Sequence, residues 1–381
     1  MRKSRVNAVL LLVSVAVAFA IGELAVRLLL KDTTALFPRY HTDYRYGSYL
    51  LRGIRANSEF WHTSVDGHWK FTTNSKGLRD SREFSYDKPT GTLRVLALGD
   101  SHTQGYEVRQ EATYAAVLER YLDRYGMQAD VLNAGVSGFS TAEELAYLEN
   151  EGYRYDPDVV VLGFFANDFL DNDKAALFDV RDGKLVEIKH EHLPGVRIQN
   201  AIYSIPGSQW LSEHSYFYSV LFNTVWIHFK KRLARQALDQ PGRGASRDAA
   251  DNAFEFAVAR PGNLTDGQIE LAARLIERMQ SFCTERGILL LVADIPATRS
   301  DGRHRSSLPA SLTARLDAAG VERLDSTAIL RDFDGAVELH VPHGARHISE
   351  FTHAMIGVEL GRRILQKLPA ASKGKVSSAT P

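Results

Sequence analysis

The first residue in this chain whose setting suggests chemistry is a serine at the end of an apolar run. The stretch Arg94-Val95-Leu96-Ala97-Leu98-Gly99-Asp100-Ser101-His102-Thr103-Gln104-Gly105 is rich in branched residues and stops in Gly-Asp-Ser, with a further glycine four residues past the serine. A buried strand that ends in a glycine turn presents its next side chain at the carboxyl edge of a sheet, where open α/β folds bind their ligands. A serine held there among backbone N–H groups is placed for nucleophilic attack, because those dipoles stabilise the charge that develops. Gly-Asp-Ser also serves as an ordinary turn, so the remainder of the chain must supply the partners. Three further segments fall where strands end or helices begin: Asn133-Ala134-Gly135-Val136-Ser137-Gly138, Gly163-Phe164-Phe165-Ala166-Asn167-Asp168, and His347-Ile348-Ser349-Glu350-Phe351-Thr352-His353.

These segments need a frame, and the hydrophobic periodicity predicts one. Residues 93–98 read as a buried strand. Residues 113–125 follow as a helix with Tyr114, Val117, Leu118, Tyr121 and Leu122 on one face, ended by Gly126. A strand at 130–133, a helix at 141–152 and a strand at 159–165 continue the pattern. Such alternation implies right-handed crossovers and a parallel sheet. The rhythm breaks from 169 to about 262, an inserted, cap-like segment. It contains an aromatic run at 216–229 followed by Lys230, Lys231, Arg232 and Arg235. That run reads as a helix capping the active-site edge, with a membrane-surface helix as the other reading. Residues 240–252 read as a polar, glycine-containing loop. The rhythm resumes with a helix at 266–286, strands at 288–295 and 321–324, and a last helix at 352–367. The small, polar residues 370–381 read as a disordered tail.

Ahead of this domain, residues 31–92 read as a linker and a β-rich lead-in, with a short hairpin around Phe60-Trp61-His62 and His68-Trp69-Lys70-Phe71. Its aromatics are expected to form satellite core rather than a sugar platform. Residues 1–30 carry an address: Arg2, Lys3 and Arg5 precede an apolar run that persists to Leu30. This predicts an uncleaved anchor, or a signal segment cleaved near Ala18-Phe19-Ala20, with the body exported in either case. Lys+Arg and Asp+Glu balance at 46 each, which disfavours nucleic acid as a partner. The single cysteine, Cys283, excludes an intrachain disulfide and reads as a packed thiol.

Taken with Gly99-Asp100-Ser101, the three later segments resemble the four blocks of the SGNH/GDSL hydrolase family, in order and spacing, over about residues 93–171 and 345–365. Glu23-Leu24-Ala25-Val26-Arg27 and Asn74-Ser75-Lys76-Gly77-Leu78-Arg79-Asp80 resemble membrane-anchored bacterial members. The resemblance implies a flavodoxin-like three-layer α/β/α sandwich with a parallel sheet. Ser101 matches the nucleophile and His347 the base that takes its proton and returns it to the leaving alcohol. The N–H groups of Ser101 and Gly138 and the side-chain amide of Asn167 match the oxyanion donors. His353 matches a second, structural histidine, and Asp100 is expected to fix the turn. The family needs no metal and no cofactor. His340 and His343 lie close to His347 in sequence, but no carboxylate recurs at ligand spacing.

Two departures stand out. The family places an aspartate three residues before the catalytic histidine, and Gly344 occupies that position here, which leaves three readings: a Ser–His dyad, an acid supplied from elsewhere, with Asp332, Asp334 and Glu338 as candidates that spacing does not separate, or weakened catalysis. Ala166 stands where a glycine often precedes the asparagine. The expected function is a serine esterase acting on acyl esters, including O-acyl groups of cell-envelope or exported polysaccharide. The alternatives are an O-acyltransferase using the same site, or a catalytically impaired domain that binds glycan or a partner protein. The expected location is the inner membrane, with the catalytic domain in the periplasm or extracytoplasmic space.

Overall fold

The computed structural model describes residues 2–192, 195–238, 264–298, 303–343 and 347–368. The chain opens with α1 (Arg2–Leu29), whose Arg5–Leu29 stretch is long and apolar enough to cross a bilayer and is almost entirely exposed. Two antiparallel hairpins follow. The first is β1 (His41–Tyr46) with β2 (Tyr49–Ile54), and the second is β3 (Glu59–Ser64) with β4 (Gly67–Thr72). The α/β body then runs β5 (Leu93–Gly99), α2 (Ser101–Gln104), α3 (Tyr114–Arg124), β6 (Ala129–Asn133), α4 (Thr141–Asn150), β7 (Val159–Phe164) and α5 (Asp168–Ala175).

The inserted segment contributes a small hairpin, β8 (Phe178–Arg181) with β9 (Lys184–Glu187), and β10 (Glu191–His192), which adds in parallel to β2. Three helices follow, α6 (Val196–Tyr203), α7 (Ser208–His214) and α8 (Tyr216–Leu238). The body closes with α9 (Asp266–Glu285), β11 (Leu289–Asp294), the short pair β12 (Ala297–Thr298) and β13 (His304–Arg305), α10 (Ala310–Ala318), β14 (Glu322–Asp325), α11 (Ser326–Leu330) and α12 (Glu350–Lys367).

The main sheet is five-stranded and parallel, in the order β14-β11-β7-β5-β6. Numbered by order of appearance this is 2-1-3-4-5, the flavodoxin-like order, whose ligands bind beyond the carboxyl ends of the first and third strands. Those strands are β5 and β7, and Ser101 directly follows β5. Side chains along a strand alternate between faces. Leu96, Leu98, Val160 and Leu162 accordingly pack on one side with Leu145 and Leu148 of α4 and Leu275, Ile276 and Met279 of α9. Val95, Ala97, Val159 and Val161 pack on the other with Leu118 and Leu122 of α3 and Ile356, Leu360 and Ile364 of α12. The result is the three-layer α/β/α sandwich that the resemblance implied.

The differences have local causes. The helix expected to reach 152 ends at Asn150, and Gly152–Tyr155 tightens into a 3-10 turn. The lead-in makes two hairpins, and its aromatics are not a satellite. Tyr46, Tyr49, Phe60 and Phe71 join the same core cluster as Leu96 and Leu162. The aromatic run becomes α8, which lays Trp226 against Gly195 and Phe217 against Gly22 of α1. Glu23 of α1 accepts hydrogen bonds from Ser215 Oγ (2.7 Å), Tyr216 N (3.2 Å) and Phe217 N (2.9 Å), satisfying donors at the start of α8. Cys283 is buried in α9, and burial pushes its thiol up to about 12. The predicted loop at 240–252 and tail at 370–381 lie outside the described residues.

Candidate active site

The turn after β5 is built so that only glycine fits two residues before Ser101. Gly99 has φ +153°, and a Cβ there would collide with Thr103 Oγ1. Asp100 then caps α2, its Oδ1 accepting from His102 N at 2.8 Å. Ser101 is thereby fixed at the first position of a buried helical turn. Its Oγ lies 2.7 Å from His347 Nε2, within reach for proton transfer. His347 arrives from the last block, pinned by Val341 N donating to its carbonyl (2.8 Å) and by Ile348 N donating to His102 Nδ1 (3.3 Å). The rings of His102 and Tyr106 lie 4.7 and 4.6 Å from the imidazole. Burial pushes His347 down to about 3, and the neighbouring His340 adds to the shift.

The three expected oxyanion donors are less uniform. Gly138 sits at φ +75°, a conformation that favours glycine. Among the described residues neither Ser101 N nor Gly138 N is spent on an intramolecular hydrogen bond. The Asn167 amide behaves differently. Its Nδ2 donates to Asp100 Oδ2 at 3.1 Å and to Asp171 Oδ2 at 2.9 Å, which occupies both of its hydrogens. Asp100 is fully buried, and desolvation pushes it up to about 7 against the bonds from His102 and Asn167. Ala166 is buried, its methyl within the core cluster that includes Phe165 and Ile348.

The other histidines divide their work. His353 Nδ1 accepts from Tyr114 N at 3.0 Å at the start of α3, a structural role. His340 Nε2 meets the carbonyl of Pro296 at 2.9 Å, and His343 Nδ1 meets Asp66 Oδ1 at 2.8 Å. Of the three acids considered for orienting His347, Asp334 pairs with His304 at 3.2 Å, while Asp332 and Glu338 project into solvent. Position 344 itself lies outside the described residues.

Several residues around the site carried no sequence signal of their role. Arg79 is buried and donates to the carbonyls of Gln104 (2.6 Å), Gly105 and Val108 (2.6 Å), clamping the loop that follows Ser101. It belongs to the 74–80 motif, where Asn74 Oδ1 accepts from Lys76 N and Leu78 N to shape the turn. The lead-in hairpins and this loop border an open cleft, lined by Phe37, Phe60, His62, Trp69, Tyr106 and Glu107 among others. His62 Nε2 lies 3.7 Å from Glu107 Oε1 there. Desolvation pushes His62 down to about 3 and Glu107 up to about 7. Glu107 also holds φ +59°, a left-handed conformation uncommon outside glycine.

Comparison with known proteins bears on the family of the chain. Residues 97–312 match the model of the GDSL-like lipase/acylhydrolase family. An arylesterase of Vibrio mimicus is 34% identical over 77 residues, which span 20% of this chain and 38% of that protein. The lipase/acylhydrolase structure from Enterococcus faecalis aligns with 73% of this chain and 97% of its own, at 16% identity and a TM-score of 0.40. The structure of TesA aligns with 71% and 99%, at 14% identity and a TM-score of 0.38. His347 lies beyond the matched family region, yet the fold returns it to Ser101. The chain belongs to the GDSL-like lipase/acylhydrolase family.

Proposed function

We propose that the protein is a serine esterase in which Ser101 attacks an acyl ester and His347 carries the proton. The observation that carries this reading is the 2.7 Å contact between Ser101 Oγ and His347 Nε2, two buried side chains at the switch point of the sheet. Attack forms the bond from Ser101 Oγ to the carbonyl carbon and moves the carbonyl electron pair onto oxygen, while the serine proton passes to His347. Collapse expels the alcohol, which takes that proton, and leaves an acyl-enzyme. The backbone N–H groups of Ser101 and Gly138 face no competing acceptor and serve the oxyanion. Asn167 joins them once one of its N–H groups leaves its carboxylate. Water resolves the acyl-enzyme in the esterase reading.

The finer reading is that the esters are O-acyl groups of cell-envelope or exported polysaccharide. It is supported by α1, which in this reading anchors the domain at the inner membrane on its periplasmic or extracytoplasmic side. A sugar hydroxyl in place of water would make the same site an O-acyltransferase. The test is labelling by a fluorophosphonate probe and turnover of small aryl esters, in wild type, Ser101→Ala and His347→Ala. Labelling and turnover that vanish in Ser101→Ala support the reading, and activity retained in that variant sinks it. A wild-type chain that neither labels nor turns over favours the glycan- or partner-binding alternative. Mass analysis of products with an added polyol acceptor separates hydrolysis from transfer.

A further inference from the structure

The oxyanion side of the site has a cation that neither the family match nor the sequence blocks account for. Arg52, on β2, lays its guanidinium over Gly138: a Cβ at that glycine would lie 3.0 Å from Nη2, 3.3 Å from Cζ and 3.4 Å from Nη1. The side chain is only 14% exposed. Its charged partner is Glu143 on α4, at 3.6 Å, and among the described residues the buried Nε has no hydrogen-bond acceptor. Leaving that buried N–H without an acceptor is costly. The guanidinium is therefore under-used in the resting site. Meanwhile Asn167, the side chain that the resemblance assigns as an oxyanion donor, has both N–H groups committed to Asp100 and Asp171. A short donor set and an under-used cation meet at one glycine.

We propose that Arg52 is the charged donor of the oxyanion hole, reaching the carbonyl oxygen from the Gly138 side as Ser101 attacks. The inference rests on the serine-esterase reading above. In the step it serves, the Ser101 Oγ–carbon bond forms, the carbonyl pair becomes a lone pair on oxygen, and the proton moves to His347. Arg52 then faces a full negative charge where the ground state offered only a dipole. A donor with that preference raises kcat more than it tightens substrate binding. Glu143 holds the guanidinium in place from the start of α4, where its Oε2 also accepts from Ser140 N at 3.0 Å. The lead-in hairpin thus contributes a group to the reaction itself.

The experiment compares Arg52→Gln, Arg52→Lys and Arg52→Ala with wild type in the full-length chain, using a neutral p-nitrophenyl acetate substrate. Loss of one such donor lowers kcat by about 100-fold. The expectation is a fall of that size in Arg52→Gln with KM within about twofold, and a smaller fall in Arg52→Lys. Added guanidinium ion at millimolar concentration should restore part of the Arg52→Ala kcat in a saturable way while leaving Ser101→Ala inert. A merely structural role would not yield to such rescue. A kcat for Arg52→Gln within twofold of wild type overturns the proposal. So does a loss confined to KM, or a loss that guanidinium does not mend while Arg52→Lys, folded as wild type by circular dichroism, stays fully active. A wild-type chain inert to both ester and fluorophosphonate overturns the esterase reading instead, and the two failures are distinct.

Discussion

The pH dependence of turnover offers the sharpest test of the His347 geometry. Burial, reinforced by His340, pushes this imidazole down to about 3. Its ring is covered by His102, Tyr106 and the Ser101 hydroxyl, so the charged form is poorly solvated in the free enzyme. The neutral form is the one that accepts the serine proton, so a lowered pKa extends activity toward acid. An ordinary histidine, with a pKa near ~6.5, is ~76% neutral at pH 7 and ~3% neutral at pH 5, a loss of ~25-fold. With the value at about 3, His347 stays almost wholly neutral across that interval.

The expectation is that kcat/KM for a p-nitrophenyl ester changes by no more than about twofold between pH 7 and pH 5, since that ratio reports the free enzyme. The assay uses constant ionic strength and a wavelength at which nitrophenol and nitrophenolate absorb equally. Return of each acid-incubated sample to pH 7 separates titration from unfolding. A reversible one-proton fall centred near pH 6.5 would refute the argument that burial sets the basicity of His347. The low basicity also has a cost, because a weaker base accepts the proton less readily. The imidazolium formed in the reaction must then be stabilised by the oxyanion beside it, which makes the donors around Gly138 matter more.

Three stability measurements probe the frame. Arg79→Met leaves the carbonyls of Gln104, Gly105 and Val108 without their donor, and should cost about 3 kcal/mol in denaturant unfolding along with much of kcat. His353→Ala removes the acceptor for Tyr114 N and should lower stability by about 1–3 kcal/mol while leaving kcat per folded molecule unchanged. Glu107 is held up at about 7 by burial, so the folded state binds a proton that the unfolded state releases near its usual value, and this stabilisation is lost as pH rises through 7. Glu107→Gln should therefore match wild type near pH 5 and exceed it by about 2–3 kcal/mol at pH 8. Equal thermal midpoints at both pH values would count against the shift.

Much of the fold was legible because its signals are local. The branched runs around Val95, Val131, Val160 and Val292 announce buried strands, and the faces of Leu118 and Leu122 or Leu275 and Met279 announce the helices between them. The flavodoxin-like strand order comes from the resemblance, because right-handed crossovers fix the face on which each helix lies and not which strands are neighbours. Ser101 was legible from a local signal too, as the first side chain past a strand that ends in glycine. His347 was found through resemblance, since nothing local in its segment reveals that the chain returns it to Ser101. Arg52, His62 and Glu107 could not be read at all. Each is an isolated polar residue among strand or loop residues, and each meets its neighbour from far away in sequence: Gly138 for Arg52, and one another for His62 and Glu107. Periodicity carries no record of such contacts. Asn167 shows the reverse limit, because its motif identifies the residue but not where its N–H groups point.

The carboxylates beneath the oxyanion side lead to a last prediction. Asp100, Glu143, Glu144 and Asp168 are all buried there, and a site meant to stabilise negative charge cannot tolerate all of them ionised. Burial resolves the conflict by favouring the neutral acids: Asp100 and Glu143 are pushed up to about 7, and Glu144 and Asp168 well above the usual carboxylate range. Arg52 offsets Glu143 and Lys174 pairs with Asp171 at 2.6 Å. As pH rises through 7, Asp100 and Glu143 lose their protons and place negative charge near the oxygen that must itself become negative. Turnover should then fall on the alkaline side with a midpoint near neutrality, although His347 remains the neutral base throughout. Glu143→Gln keeps an acceptor for Ser140 N and removes one of the two ionisations, so its kcat should decline less between pH 7 and pH 9 than that of wild type. An alkaline limb of unchanged depth in that variant would show that the Glu143 charge does not reach the oxyanion, and the limb would then belong to Asp100 or to the chemistry of the ester.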